Sequence, residues 1–485
     1  MRLALVQMPP CPRDTPPSEM ALTAAVLRRE GHEVRVFDIS NELFHGTFKS
    51  RPYWKFALTA HSKDPHSAIA EEESAKLSCY AQEILAAQPQ AVVFKAEHSC
   101  RGAEDMAREL RALAPDLTLI GSGLVSTDPV SLKRWKEQQD LRDERGRAIV
   151  PFDRLIIGED DLALPAVLAG KGLERFAAQG KVVDTSRGPW LEDLDSLPHY
   201  DFTDYDFKRY SDPKTIRFSV SRGCPFRCAY CRDWVWTGKF RSMSVDRWFE
   251  EYKVQHERNA GVRHLRYCDR LINGDMKALD RFCGRVIEAW KEAPIYWGAD
   301  FVLRPELDEE FVGKLARAGC NNMGVGLESG SEKVRAFIHK GFFSNDLAER
   351  VFASCRKNRI HASVNVMIGL PGETKEDLRE TVDFIERNAS NIWEVRLTSP
   401  TTQLLPGTPL AEQPARFGIK GSDAEKWESE DGSNSHEERV RRFEEFCLRM
   451  LDVPGLFLAV NRRVIKTRTA VEKLAAECRQ EAARR

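Results

Sequence analysis

IRFSVSRGCPFRCAYCRDW, residues 216–234, runs from an apolar, β-branched stretch into three cysteines, Cys224, Cys228 and Cys231, set inside eight residues. The first six residues read as a buried strand, and the glycine and proline that follow break it. The thiols therefore sit on a loop at the carboxyl end of a strand. A structural zinc usually takes four ligands and favours pairs of Cys-x2-Cys. No second pair occurs in the chain, and the next cysteine, Cys268, stands alone. Chance clustering in a core fits poorly with Pro225 and the basic Arg222 and Arg227. An iron–sulfur cube held by three thiolates explains the incomplete ligand set, because it leaves one iron open for chemistry.

From this loop the pattern extends both ways. Downstream, RHLRY (263–267), IYWGAD (295–300), NNMGVGL (321–327), SVNVMIGL (363–370) and IWEVRLT (392–398) are strand-like, with helical stretches between them. Six strand–helix units over 214–410 are too few for an eightfold barrel and predict a partial (β/α)6 barrel of TIM type, with its site at the strand carboxyl ends. Upstream, RLALVQ (2–7), EVRVFD (33–38), AVVFK (91–95), LTLIG (117–121) and RLIIG (154–158) alternate with helical patterns. One of these is SEMALTAAVLRREG, with Ser18 as the expected cap and Gly31 as the stop. This alternation predicts an α/β, doubly wound, Rossmann-like domain over 1–185. Residues 186–213 read as a linker, and 411–485, highly charged and then amphipathic around HEERVRRFEEFCLRML, as a C-terminal helical region.

Composition narrows the partners. Lys plus Arg number 73 against 74 for Asp plus Glu, a net charge of −1, which offers no attraction for nucleic acid or an anionic membrane. No apolar run has the length of a membrane span, and MRLALVQMPP reads as an opening strand and not as a signal peptide. Twelve cysteines without an export signal point to reduced thiols or ligands and to a cytoplasmic protein.

The cysteine loop, with Tyr230 just before its third thiol, resembles the Cys-x3-Cys-x2-Cys signature of the radical S-adenosylmethionine (radical SAM) superfamily. That resemblance implies a 4Fe-4S cluster on Cys224, Cys228 and Cys231. Its open iron would chelate the methionine part of S-adenosylmethionine, and one electron would release a 5′-deoxyadenosyl radical. It further implies nucleoside-binding roles for Glu328 and Ser329 in GVGLESGSE (324–332), and an approach to the adenine by Gly369 in VMIGLPGETKED. Glu328 also reads as a helix-start acid, and the Pro371–Gly372 stretch as a plain turn with Thr374 and Asp377 forming a capping box. The glycine-glycine-glutamate that many members place after strand two is replaced by RYCDRLING (266–274), where Asp269 or Asn273 is the substitute.

Across nearly all of residues 1 to about 410 the chain resembles the cobalamin-binding radical SAM family. The resemblance implies cobalamin across the carboxyl edge of the first sheet, on loops carrying Pro10, Ser99, Gly121, Ser122, Gly123, Gly158 and Glu159. The glycines alternatively serve only tight turns. Asp-x-His-x-x-Gly, the motif that ligates cobalt in mutases, is absent, and His98 reads either as a ligand or as a structural histidine. The implied activity is methylation of an unactivated carbon of a small-molecule substrate, with an electron donor such as flavodoxin or ferredoxin. An oxidative rearrangement or cyclisation without methyl transfer, and a non-radical binding protein with a structural metal site, are the alternatives. Trp234 and Trp236 are expected either to line the substrate or to pack.

Overall fold

The computed structural model describes residues 1–8, 14–43, 67–95, 101–124, 137, 140, 142, 150–461 and 463–484. The chain forms two units. One comprises residues 1–218, 236–243 and 250–262, and the other residues 219–235, 244–249 and 263–485.

The first unit is built on a seven-stranded sheet of β1 (Arg2–Gln7), β2 (Glu33–Asp38), β3 (Ala91–Lys95), β4 (Thr118–Leu124), β5 (Arg154–Ile157), β6 (Ala177–Gln179) and β7 (Val182–Asp184). The order is β2-β1-β3-β4-β5-β7-β6, parallel except for the β6–β7 hairpin. Apolar runs make this possible: Ala4, Val6, Val92, Phe94, Leu119, Leu155 and Ile157 are all buried in one core. In an order of this kind the chain reverses direction between β1 and β3, which opens a crevice at their carboxyl ends. There Gln7 pairs in register with Lys95, and Lys95 with Ser122. The helix Ser18–Arg29 starts one residue earlier than expected, with Pro17 as its cap and no side-chain bond, so Ser18 is the first helical residue. Gly31 does take the left-handed conformation that ends it, at φ +82°. Residues 186–213 belong to this unit, with Leu194, Leu197, Tyr200, Phe202, Tyr205 and Tyr210 buried.

The second sheet has eight strands. Thr215–Phe218 (β8), where the chain passes from one unit to the other, is its edge. Then come β9 (His264–Tyr267), β10 (Tyr296–Phe301), β11 (Cys320–Glu328), β12 (His361–Val366), β13 (Glu394–Leu397), β14 (Phe457–Val460) and β15 (Arg463–Ile465), in the order β15-β14-β13-β12-β11-β10-β9-β8. β9 to β14 pair in parallel, and β15 turns back antiparallel. The first six strands are the six expected units. The last two come from the region read as wholly helical, so the C-terminal part extends the sheet as well as covering it.

Helices of this unit begin on side-chain caps that follow strand ends. Asp275, Asp308, Ser344 and Ser435 each accept a backbone N–H, and Thr374 with Asp377 forms the expected capping box. An aromatic core of Trp248, Tyr267, Phe282 and Trp297 fixes β9 and β10, with Trp248 stacked on Phe282 at 4.1 Å. Burial of each such ring contributes about 2–3 kcal/mol.

Candidate active site

The cysteine loop is held from three sides before any metal is considered. Asp269, just past β9 and buried, accepts Val220 N–H at 3.1 Å and also the N–H and hydroxyl of Ser221. Burial, only partly offset by those bonds, pushes its carboxyl up to about 7. Between the second and third cysteines, Ala229 donates to Ile338 O at 2.9 Å and accepts from Leu410 N at 3.1 Å. Trp234 Nε1 donates to Cys228 O at 3.1 Å, and the Arg227 guanidinium lies over the Trp234 ring. Trp234 thus braces the loop, while the side chain of Trp236 lies outside the described residues.

Cys228 is buried and Cys224 and Cys231 are half-buried. Burial raises all three thiols, Cys231 to about 12, and Cys228 further opposes ionisation of the other two. Among the described residues no three His, Cys, Asp or Glu side chains are placed to hold a single metal ion. A zinc ion would draw its sulfurs to within about 3.8 Å of each other, given Zn–S bonds of about 2.3 Å. Three thiolates on one loop would leave one iron of a 4Fe-4S cube without a protein ligand, so the donor set fits such a cluster.

At the end of β11, Glu328 adopts φ +65°, a left-handed conformation rare for a side-chain-bearing residue, and is buried. Its Oε1 accepts from Tyr230 Oη at 2.8 Å and from Lys340 Nζ at 2.9 Å, and Lys340 also lies 3.2 Å from Tyr230 Oη. Gly326 leaves room for this: a Cβ there would stand 2.5 Å from Glu328 Oε1 and 2.6 Å from Lys340 Nζ. Burial lowers the Lys340 ammonium, but Glu328 and the thiols outweigh it and hold the residue cationic. Burial first, then Glu328, pushes the Tyr230 phenol far up. The aromatic between two cysteines and the strand-end carboxylate, named separately from the sequence, thus meet on a buried lysine that the sequence did not reveal.

Other candidates are engaged within the protein. The Ser329 hydroxyl lies 3.1 Å from Thr381 Oγ1 and accepts Ser331 N–H. Asn273 exchanges two bonds with Val302, at 2.8 and 3.0 Å, so it ties one strand-end loop to the next. Gly369 has φ +73°, and the space its Cβ would fill holds the Arg439 side chain, 2.3 Å away. In the first unit Ser122 Oγ and Lys95 Nζ both bond Asp160 Oδ2, at 2.5 and 2.7 Å, and the Glu159 carboxylate is gripped twice by Arg241, at 2.5 and 3.0 Å. Gly121, Gly123 and Gly158 are close-packed against Leu155, Lys95 and Thr185. At the crevice itself the buried Gln7 Oε1 has no hydrogen-bond donor among the described residues. Pro10, Ser99 and His98 lie outside the described residues.

Residues 218–385 match the Radical SAM superfamily. The chain is similar to an uncharacterized methyltransferase, PH0819, of Pyrococcus horikoshii, with 26% identity over 54% of this chain and 58% of the relative. It is also similar to the anaerobic magnesium-protoporphyrin IX monomethyl ester cyclase of Rubrivivax gelatinosus, with 26% identity over 43% of this chain and 38% of that one. The matches thus span less than two thirds of the length of either relative. Across 99% of both chains, the fold is similar to that of the radical S-adenosylmethionine methyltransferase TsrM from Kitasatospora setae, solved with cobalamin and a [4Fe-4S] cluster bound, at TM-score 0.64 and 17% identity.

Proposed function

Because residues 218–385 are a radical SAM domain, we propose that the chain is a cobalamin-dependent radical SAM methyltransferase acting on an unactivated carbon of a small molecule. The observation that carries the reading is the convergence of Cys224, Cys228 and Cys231, by way of Tyr230, on the buried Glu328–Lys340 pair. The three cysteines would hold the cluster as thiolates. When bound, the cluster and S-adenosylmethionine supply a hydrogen-abstracting radical, and cobalamin supplies a methyl group to a carbon too poor a nucleophile to attack a sulfonium.

Everything else is positioning by the chain. Asp269 and Ala229 fix the loop backbone, so that the thiols are aimed before iron arrives. Lys340 keeps Glu328 oriented, and the carboxylate can accept from a hydroxyl or amino group of a bound nucleoside. In the first unit, the buried acceptor Gln7 Oε1 at the crevice of the sheet, without a donor among the described residues, suits a donor group of cobalamin. The fold similarity to TsrM and the relative named a methyltransferase support methyl transfer. The relative named a cyclase supports a second reading, oxidative ring formation without methyl transfer. The external electron is supplied by a donor such as flavodoxin or ferredoxin, and the reaction belongs in the cytoplasm.

Anaerobic turnover of candidate metabolites with methyl-labelled S-adenosylmethionine separates the two. Methyl transfer predicts label in the product, with one S-adenosylhomocysteine and one 5′-deoxyadenosine for each molecule formed. A substrate consumed with 5′-deoxyadenosine but without label or S-adenosylhomocysteine would replace methylation by the oxidative reading.

A further inference from the structure

The turn after β12, residues 368–373, is gripped almost entirely by residues far along the chain. Ile368 O accepts Thr402 N and Oγ1, at 3.1 and 2.9 Å. Asn434 Nδ2 donates to Gly369 O and Leu370 O, at 3.4 and 3.0 Å. Inside the turn, Gly369 N donates to Glu373 Oε1 at 3.0 Å. Glu373 is in turn held by Arg442, whose Nη1 donates to its carbonyl at 2.8 Å and lies 3.4 Å from Oε1. The stem of Arg439 fills the space beside Gly369, and its guanidinium stacks 3.9 Å from the centre of the Trp427 ring while donating to Asn434 O and Glu425 O. Glu373, Arg439 and Arg442 are each at most 2% exposed.

A helix that only covered a sheet would bury apolar residues. His436–Leu451 does bury Val440, Phe443, Phe446 and Met450, but it also buries two arginines three positions apart, at a desolvation cost that a greasy pair would avoid. What the cost secures is the geometry of one turn. The other side of that turn points at the site: Leu370 packs with Val334 and Ile338, against which Tyr230 and Met367 also lie, and Met367 N donates to Glu328 O at 2.9 Å.

We propose that Arg439 and Arg442 are positioning residues for S-adenosylmethionine, fixing from the C-terminal helix the 368–373 turn that packs on Tyr230 beside the cysteine loop. The inference rests on the radical SAM reading above. Side chains on the C-terminal helix thereby set how the nucleoside side of the site is shaped, without touching the ligand.

The test uses the full chain, anaerobically reconstituted with iron and sulfide. Two quantities are read: S-adenosylmethionine affinity by equilibrium dialysis, and the change S-adenosylmethionine makes in the electron paramagnetic resonance spectrum of the reduced cluster. Arg442→Ala should keep the parent's iron content, bind S-adenosylmethionine about tenfold more weakly, and need correspondingly more of it for the spectral change. Arg442→Lys, which keeps the charge, should recover part of the loss. Asn434→Ala removes the two donors to the turn without stranding a charge, and covers the case in which Arg442→Ala does not fold. It should weaken binding by about three- to tenfold with the iron content retained. Parent affinity in folded Arg442→Ala or Asn434→Ala overturns the inference. A parent chain that takes up iron yet binds no S-adenosylmethionine would remove the radical SAM reading, and this inference with it.

Discussion

Asp269 stands at a strand end where a carboxylate could meet a ligand, yet its oxygens face backward onto Val220 and Ser221. The sequence supplied its position and not its direction, because direction depends on which backbone N–H groups the neighbouring loop leaves unpaired. The cysteines were legible for the opposite reason. Ligation to one cluster forces three thiols into one short loop, and that constraint is written in spacing. Lys340 left no such trace: it reaches Glu328 only because the helix Glu332–Phe337 folds back over β11. The thiols divide accordingly. Replacing Cys224, Cys228 or Cys231 by alanine should remove most of the iron after reconstitution and abolish S-adenosylmethionine cleavage. Cys283 and Cys320 are buried among apolar residues with thiols pushed well up by burial, so alanine there should cost about 1 kcal/mol of stability and leave the iron in place. Cys268 is exposed, and its alanine variant should match the parent in both respects. Iron retained in the triple variant of the loop cysteines would contradict the cluster assignment.

At the scale of elements, strands with a clear apolar pattern were the readable ones. β1, β2 and β3 fall on RLALVQ, EVRVFD and AVVFK residue for residue: β1 and β3 are near-continuous apolar runs buried in a parallel sheet, and β2, at its edge, alternates buried valine and phenylalanine with exposed or half-buried residues. The hairpin Ala177–Gln179/Val182–Asp184 was not readable, since its first strand is wholly exposed. Phe457–Val460 was missed because four residues between charged stretches carry no period, and only the free edge of β13 makes them a strand. The turn at Gly369 was read as a contact with adenine or as a plain turn; the packing adds a further cause, the Arg439 stem. Alanine at Gly369 therefore meets two penalties. The left-handed φ costs about 1 kcal/mol, and displacing a buried stem costs about 1–3 kcal/mol more. Gly421, at φ +89° with nothing within 4 Å of a Cβ, meets only the first. Urea unfolding should show Gly369→Ala less stable than Gly421→Ala by about 1–3 kcal/mol. Equal losses would mean that the helix yields and that the packing at Gly369 is loose.

For the whole molecule, the division into two α/β units follows from two successive strand–helix alternations, but the contents of the first crevice do not. Its histidines make the point. Among the described residues of the first unit, His32 lies beside the amino terminus at the opening of β2, His199 is bonded to Glu251, and His256 is within a helix. None stands at the carboxyl edge of the sheet. What stands there instead is the Lys95–Asp160–Ser122 cluster and Gln7 Oε1, which has no donor among the described residues. A buried ammonium already paired with a carboxylate is no ligand for cobalt, since its nitrogen lone pair is protonated. If cobalamin occupies the crevice, the lower face of its cobalt should meet no protein nitrogen. Electron paramagnetic resonance of the cobalamin-loaded chain, reduced by one electron, should then show cobalt lines without splitting from an axial nitrogen. A nitrogen splitting that disappears in His98→Ala would overturn this, and would assign the ligand to the loop after β3. The same spectrum also tests the cofactor itself: a folded, iron-loaded chain that shows no cobalt signal at any cobalamin concentration would leave the first unit with the fold alone.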